Sequence, residues 1–156
     1  MEYIDKLLSN YVLIASVLGW ASAQVIKTVI DFGFTRELKL ERLVGSGGMP
    51  SCHSATVCAL STACGIFYGI DSAAFAISAI FAIVVMYDAR GVRRETGNQA
   101  EVLSQIMTFL HAKNPEEIKF NQERLKELIG HTPLQVCMGA IWGVISAFIT
   151  YNLFYI

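Results

Sequence analysis

The sequence predicts an all-α integral membrane protein: a four-helix bundle of spanning segments, with cytoplasmic amphipathic helices between spans three and four. Three observations lead there. The composition is 54% hydrophobic and only 16% charged, with a mean hydropathy of +0.48, too apolar for an ordinary soluble domain. The apolar residues gather into four runs, about 11–30, 53–69, 72–87 and 134–156. The charges are segregated as well: ten of the twelve Lys and Arg lie in two polar stretches, although the net charge is only −1. One membrane domain over residues 1–156 is the expected organisation.

The first run, Tyr11 to Ile30, is apolar apart from Ser16, Ser22, Gln24, Lys27 and Thr28. A helix of that length covers about 30 Å, the thickness of a hydrocarbon core. Glu2 and Asp5 precede it and no A-x-A-like cleavage site follows it, so a retained span is expected rather than a cleaved leader. Gln24 and Lys27 lie three apart, on one helical face. Lys27 either snorkels to the interface or is aimed at an anion beside the next helix.

The polar stretch that follows ends in Gly45-Ser-Gly-Gly-Met-Pro-Ser-Cys-His-Ser54. Three glycines in four residues, Gly48 the last of them, allow positive φ and a backbone that turns its N–H groups inward. Pro50 suits the first turn of a helix. Ser51 and His53 then stand at a helix N-terminus, where free amides and the macrodipole favour an anion. The second run, His53 to Gly69, is dense in Ala, Ser, Thr, Cys and Gly and is expected inside the bundle. Asp71 or Ser72 caps the third, which ends at Tyr87.

Residues 88–130 are polar. Asn98 to Lys113 carries apolar residues at helical spacing, and Phe120, Leu125, Leu128 and Ile129 line a second short helix after a break at Asn114-Pro115. Gly130-His131-Thr132-Pro133 repeats the earlier device of glycine, histidine and a proline at a helix start. The fourth run closes with Tyr151 and Tyr155 as an aromatic anchor. The four cysteines form no C-x-x-C pair, and Cys52, Cys58 and Cys64 read as small packing residues.

Both basic stretches, and with them both histidine segments, fall on one side of the membrane, which the positive-inside rule makes the cytoplasm. Two histidines at two helix N-termini with arginines between suit phosphoryl transfer, which needs charge neutralisation, a nucleophile and a proton donor. Arg90, Arg93 and Arg94 supply cations where the third span ends, unless they are topological anchors. Asp88 is placed to orient an arginine or a histidine. No metal or other cofactor is expected, since no carboxylates stand at metal-ligand spacing, and His111 reads as a surface residue. A cysteine phosphatase is excluded, because Cys58 stands where the arginine of C-x-x-x-x-x-R belongs.

Pro50-Ser-Cys-His-Ser54 resembles the P-S-G-H motif of the type-2 phosphatidic acid phosphatase superfamily, relatives of the vanadium haloperoxidases. Gly130-His-Thr-Pro-Leu-Gln-Val136 resembles the end of that superfamily's S-R-x-x-x-x-x-H-x-x-x-D motif. Together with D-A-x-G-V-R-R, these stretches resemble its divergent branch of small integral-membrane members. The resemblance implies that His131 is the nucleophile and forms a phosphohistidine. It implies that His53 protonates the leaving group and that Ser51 donates a hydrogen bond to phosphate. Lys27 matches the first-motif lysine, although the R-P that should follow is absent and Arg36 or Arg42 is an alternative. Cys52 replaces the motif glycine, and Gln135 replaces the aspartate that orients the nucleophile, which shifts that support elsewhere, to Asp88 for instance. Arg124 lies seven rather than six residues before His131, leaving the third-motif arginine's work to Arg93 or Arg94.

The expected function is a multi-pass cell-membrane lipid phosphatase, with phosphate-binding residues Lys27, Gly48, Ser51, Arg90, Arg93 and Arg94 and catalytic residues His131, His53 and Asp88. Its expected substrate is a phospholipid phosphomonoester on the cytoplasmic leaflet, phosphatidylglycerol phosphate first, with phosphatidic acid or a polyprenyl diphosphate as alternatives. The competing reading is a non-catalytic scaffold or transport subunit that binds lipid headgroups. Membrane lipids are the expected surroundings and nucleic acid is not a partner; a homodimer is compatible with so small a bundle, though no motif demands one.

Overall fold

The structure, a computed structural model, describes residues 2–36, 48–113 and 131–155. Among them are six helices: α1 (Glu2–Leu8), α2 (Tyr11–Thr35), α3 (Cys52–Tyr68), α4 (Ala73–Arg90), α5 (Val92–Lys113) and α6 (Pro133–Tyr155). Three helical stretches are long and apolar enough to cross a bilayer: α2, the stretch containing α4, and α6. At 17 residues, α3 is shorter than these.

Local chemistry sets the ends. Asn10 caps α2 by accepting from the Leu13 amide at 3.1 Å, and Ser72 caps α4 by accepting from that of Phe75 at 3.1 Å. At its other end α2 runs five residues beyond the expected boundary. It closes on Arg36, whose left-handed backbone (φ 57°) lets its amide reach the Phe32 carbonyl at 2.9 Å. Before α2 lies α1, a short helix outside the four apolar runs, broken from α2 at Ser9-Asn10 and carrying a Lys6–Glu2 ion pair at 2.7 Å.

Pro50 lies two residues before α3 rather than within its first turn, because Ser51 takes the cap between them. The helix expected over 98–113 begins earlier, at Val92, only Gly91 separating it from α4. The second amphipathic helix, with Phe120, Leu125, Leu128 and Ile129, lies outside the described residues, as do Lys39, Arg42, Gly45, Gly47 and Arg124.

The architecture turns on α3, which packs against α2, α4 and α6. Along α2 the pairing is antiparallel: Ala23 meets Cys52 and Ala55, Gly19 meets Ala59, and Tyr11 and Ala15 meet Ala63. Against α4 it is antiparallel too, Val57 and Cys58 lying on Ala82 and Met86. With α6 it is parallel. A Cβ on Gly139 would stand 2.9 Å from that of Ser54 and run into the Ser51 carbonyl, and one on Gly143 would run into the carbonyl of Ala55. This glycine pair at i, i+4 brings two backbones together where no larger residue fits. Its consequence is functional: α3 and α6 begin side by side.

Candidate functional site

The two helix starts are joined directly. The Ser51 amide donates to the Gln135 carbonyl at 3.0 Å, so the chain entering α3 is fastened to the first turn of α6. The positive ends of two parallel helices therefore converge on one spot, an arrangement that favours an anion. His53 and His131 face each other there, with ring centroids 5.9 Å apart and planes inclined at 55°. His131 is buried at 4% exposure and His53 is half-buried.

Ser51 is fully buried, and its hydroxyl caps α3 by accepting from the Ser54 amide at 3.4 Å. Gly48 takes the positive φ its position suggested (83°), and a Cβ there would lie 2.9 Å from Cγ and Cδ of Lys27. The lysine stem thus crosses the glycine loop. Lys27 does not snorkel to an exposed position: it is 3% exposed, a costly placement for an ionisable group on an apolar helix, which makes it a candidate functional residue. The structure therefore gathers His53, His131 and Ser51 at the paired helix starts and lays Lys27 across Gly48, three residues before Ser51.

Asp88 is half-buried in the last turn of α4, whereas Arg90 and Arg36 are exposed. The side chains of Arg93 and Arg94, and His111 with them, fall outside the described ones.

Gln135 changes the reading of the third motif. Thr132 and Gln135 form a reciprocal cap on α6: the Gln135 amide donates to Thr132 Oγ1 at 3.3 Å, and the Thr132 amide donates to Gln135 Oε1 at 3.0 Å. The same oxygen lies 3.3 Å from His131 Nδ1. A backbone N–H only donates, so the glutamine atom it meets is the carbonyl oxygen. An amide oxygen only accepts, so Nδ1 carries the proton, and in the neutral ring Nε2 is the nitrogen with the lone pair. Gln135 itself thus makes the contact to His131 that was expected from elsewhere. The signal was in the sequence as the T-x-x-Q spacing of a capping box. Cys52, in the motif glycine's place, sets its sulfur 3.7 Å from His53 Nδ1.

No solved structure matches the chain. It is 42% identical over 147 residues to an uncharacterized membrane protein, YuiD, of Bacillus subtilis (strain 168), covering 90% of this chain and 93% of that one. The family described as the Divergent PAP2 family matches residues 8–146, nearly the whole chain and both histidine segments. This protein is a membrane protein that belongs to the Divergent PAP2 family.

Proposed function

We propose that the protein is a metal-independent lipid phosphatase working through a phosphohistidine on His131. The observation that carries this reading is the pairing of His53 with His131 at two adjoining helix N-termini. In the first step Nε2 of His131 attacks phosphorus, the bond from phosphorus to the lipid alcohol's oxygen breaks, and His53 gives that oxygen its proton. In the second, His53 takes a proton from water as the water's oxygen attacks phosphorus. The N–P bond breaks, and orthophosphate leaves. Lys27 neutralises charge on the equatorial oxygens, the N-terminus of α3 and the Ser51 hydroxyl support them, and Arg90, Arg93 and Arg94 are further cations, Asp88 orienting one of them.

Counting α3 as a fourth crossing puts both basic stretches on one face, which the positive-inside rule makes cytoplasmic. Such a site serves lipids whose phosphomonoester appears on the inner leaflet, and phosphatidylglycerol phosphate fits. Single cysteine probes at Ser46 and Asn98 on a cysteine-free background test the sidedness. Neither should react with an impermeant reagent outside intact cells, and reaction of both would overturn the topology.

The assay is phosphate release from phosphatidylglycerol phosphate by the purified chain in lipid. Release is expected from the wild type and none from His131→Ala. Equal release from both would remove His131 from the mechanism. No release from any lipid phosphate, with headgroup binding retained, would favour the scaffold reading, which the neutral Gln135 at the aspartate position keeps open.

A further inference from the structure

Two buried side-chain atoms among the described residues have no hydrogen-bond partner: Gln24 Oε1 and Ser54 Oγ. Gln24 is 5% exposed and Ser54 is fully buried. A carbonyl left unpaired in an apolar interior carries its full desolvation cost, and each such group in a native structure calls for a reason. The two are not scattered. Ala23, the neighbour of Gln24, packs on Cys52 and Ala55 of α3, so Gln24 stands level with the turn that holds His53 and Ser54. Three residues on, Lys27 crosses Gly48. Both unsatisfied atoms therefore lie at the depth of the histidine pair, with Gln24 on the deeper, bilayer-ward side of Lys27.

We infer that the Gln24 amide is a specificity determinant: it binds a free hydroxyl on the alcohol part of the substrate, beside the phosphate ester. This deepens the lipid-phosphatase reading and rests on it for the word substrate. If Lys27 holds the phosphate, a group one turn further along α2 meets the atoms to which that phosphate is esterified. A hydroxyl both donates and accepts, so it satisfies either atom of the amide. The class selected is a lipid phosphomonoester of a polyol headgroup. A diacylglycerol phosphate has both neighbouring oxygens acylated and leaves the carbonyl unsatisfied. A site built to bond a hydroxyl discriminates strongly against the analogue lacking it, because its own polar group is then stranded.

The test compares phosphatidylglycerol phosphate with its deoxy analogue, phosphatidyl-1,3-propanediol phosphate of the same acyl chains. Binding is measured to the full-length His131→Ala protein, so that neither lipid is consumed. Gln24 protein should bind the hydroxylated lipid about tenfold more tightly. Gln24→Leu and the near-isosteric Gln24→Met should bring the two affinities within about twofold. Without lipid, both variants should melt no lower than the parent, since an apolar side chain replaces a stranded carbonyl. Equal affinities in Gln24 protein, or a preference surviving in the variants, would overturn the inference. So would destabilisation of both lipid-free variants, which would show the amide to be structural. Failure of the phosphatase reading is separate: it shows as absent phosphate release from the wild type, and leaves the binding contrast readable.

Discussion

The same three helices, α2, α3 and α6, end in opposite ways at their two extremities. At the end carrying Tyr11 the contacts are apolar and the polar groups are matched. Tyr11 is 2% exposed, donates its hydroxyl to the Ala147 carbonyl at 2.9 Å and sets its ring edge-on to Tyr151 at 5.9 Å. Thr150 and Ser146 turn their hydroxyls back onto their own helix. At the other end the interior holds a lysine, a histidine, two serines and a glutamine, and two of their atoms are unsatisfied. The small-residue seam between the helices is common to both ends. The proposed function accounts for the difference: one end is finished by the chain itself, and in that reading the other is completed by the substrate. Buried polar groups cost stability unless matched, so they persist where something outside the fold matches them.

Four substitutions break or sharpen that contrast, in falling order of effect. Gly143→Val forces a side chain into the Ala55 backbone carbonyl and separates the α3 and α6 starts. It should cost at least about 3 kcal/mol, at the top of the overpacking range, and remove lipid binding with it. Thermal unfolding in detergent checks this, and a stable Gly143→Val protein would show that the seam does not set the site. Gln135→Ala releases His131 Nδ1 and uncaps α6. Turnover should fall by roughly 10²–10⁴, as when a catalytic histidine loses the acceptor that sets its tautomer, for about 1 kcal/mol of stability. Gln135→Glu keeps both hydrogen bonds and should recover the tautomer. Nitrogen-15 spectra of the three histidines read this without any substrate. At the finished end, Tyr11→Phe should cost about 1 kcal/mol and leave turnover unchanged. A loss of turnover there would mean that the two ends are not independent.

Much of the fold was legible because apolar runs and small residues act locally. The apolar runs at 11–30, 53–69, 72–87 and 134–156 correspond to the helices Tyr11–Thr35, Cys52–Tyr68, Ala73–Arg90 and Pro133–Tyr155, of which the second is not among the stretches long and apolar enough to cross a bilayer. The second, rich in Ala and Ser, became the helix at the centre. Ends were less legible, since α2 continues through Asp31 and Thr35, where polarity argues for a loop although the helical hydrogen bonds continue. Gly139 and Gly143 carried a readable packing signal in G-x-x-x-G that was not drawn on. The histidine pair was legible because each histidine sits beside its own glycine–proline helix start. That Lys27 lies over Gly48 was not, because it depends on the register between α2 and the loop. Gln135 looked like a loss when compared with an aspartate, and only the geometry shows its oxygen meeting the Thr132 amide of the helix cap and His131 Nδ1 together.

The central claim is that His131 carries phosphate covalently while His53 handles the proton. The most direct measurement is a rapid acid-free quench of the protein with phosphorus-32-labelled lipid phosphate, followed by peptide mapping. The account predicts an acid-labile, base-stable adduct on the peptide holding His131, absent from His131→Ala. In His53→Ala the adduct should persist on substrates with good leaving groups, because turnover falls by about 10²–10⁴ without a general acid and base. Turnover with no adduct at His131, or an adduct unchanged by His131→Ala, would contradict it.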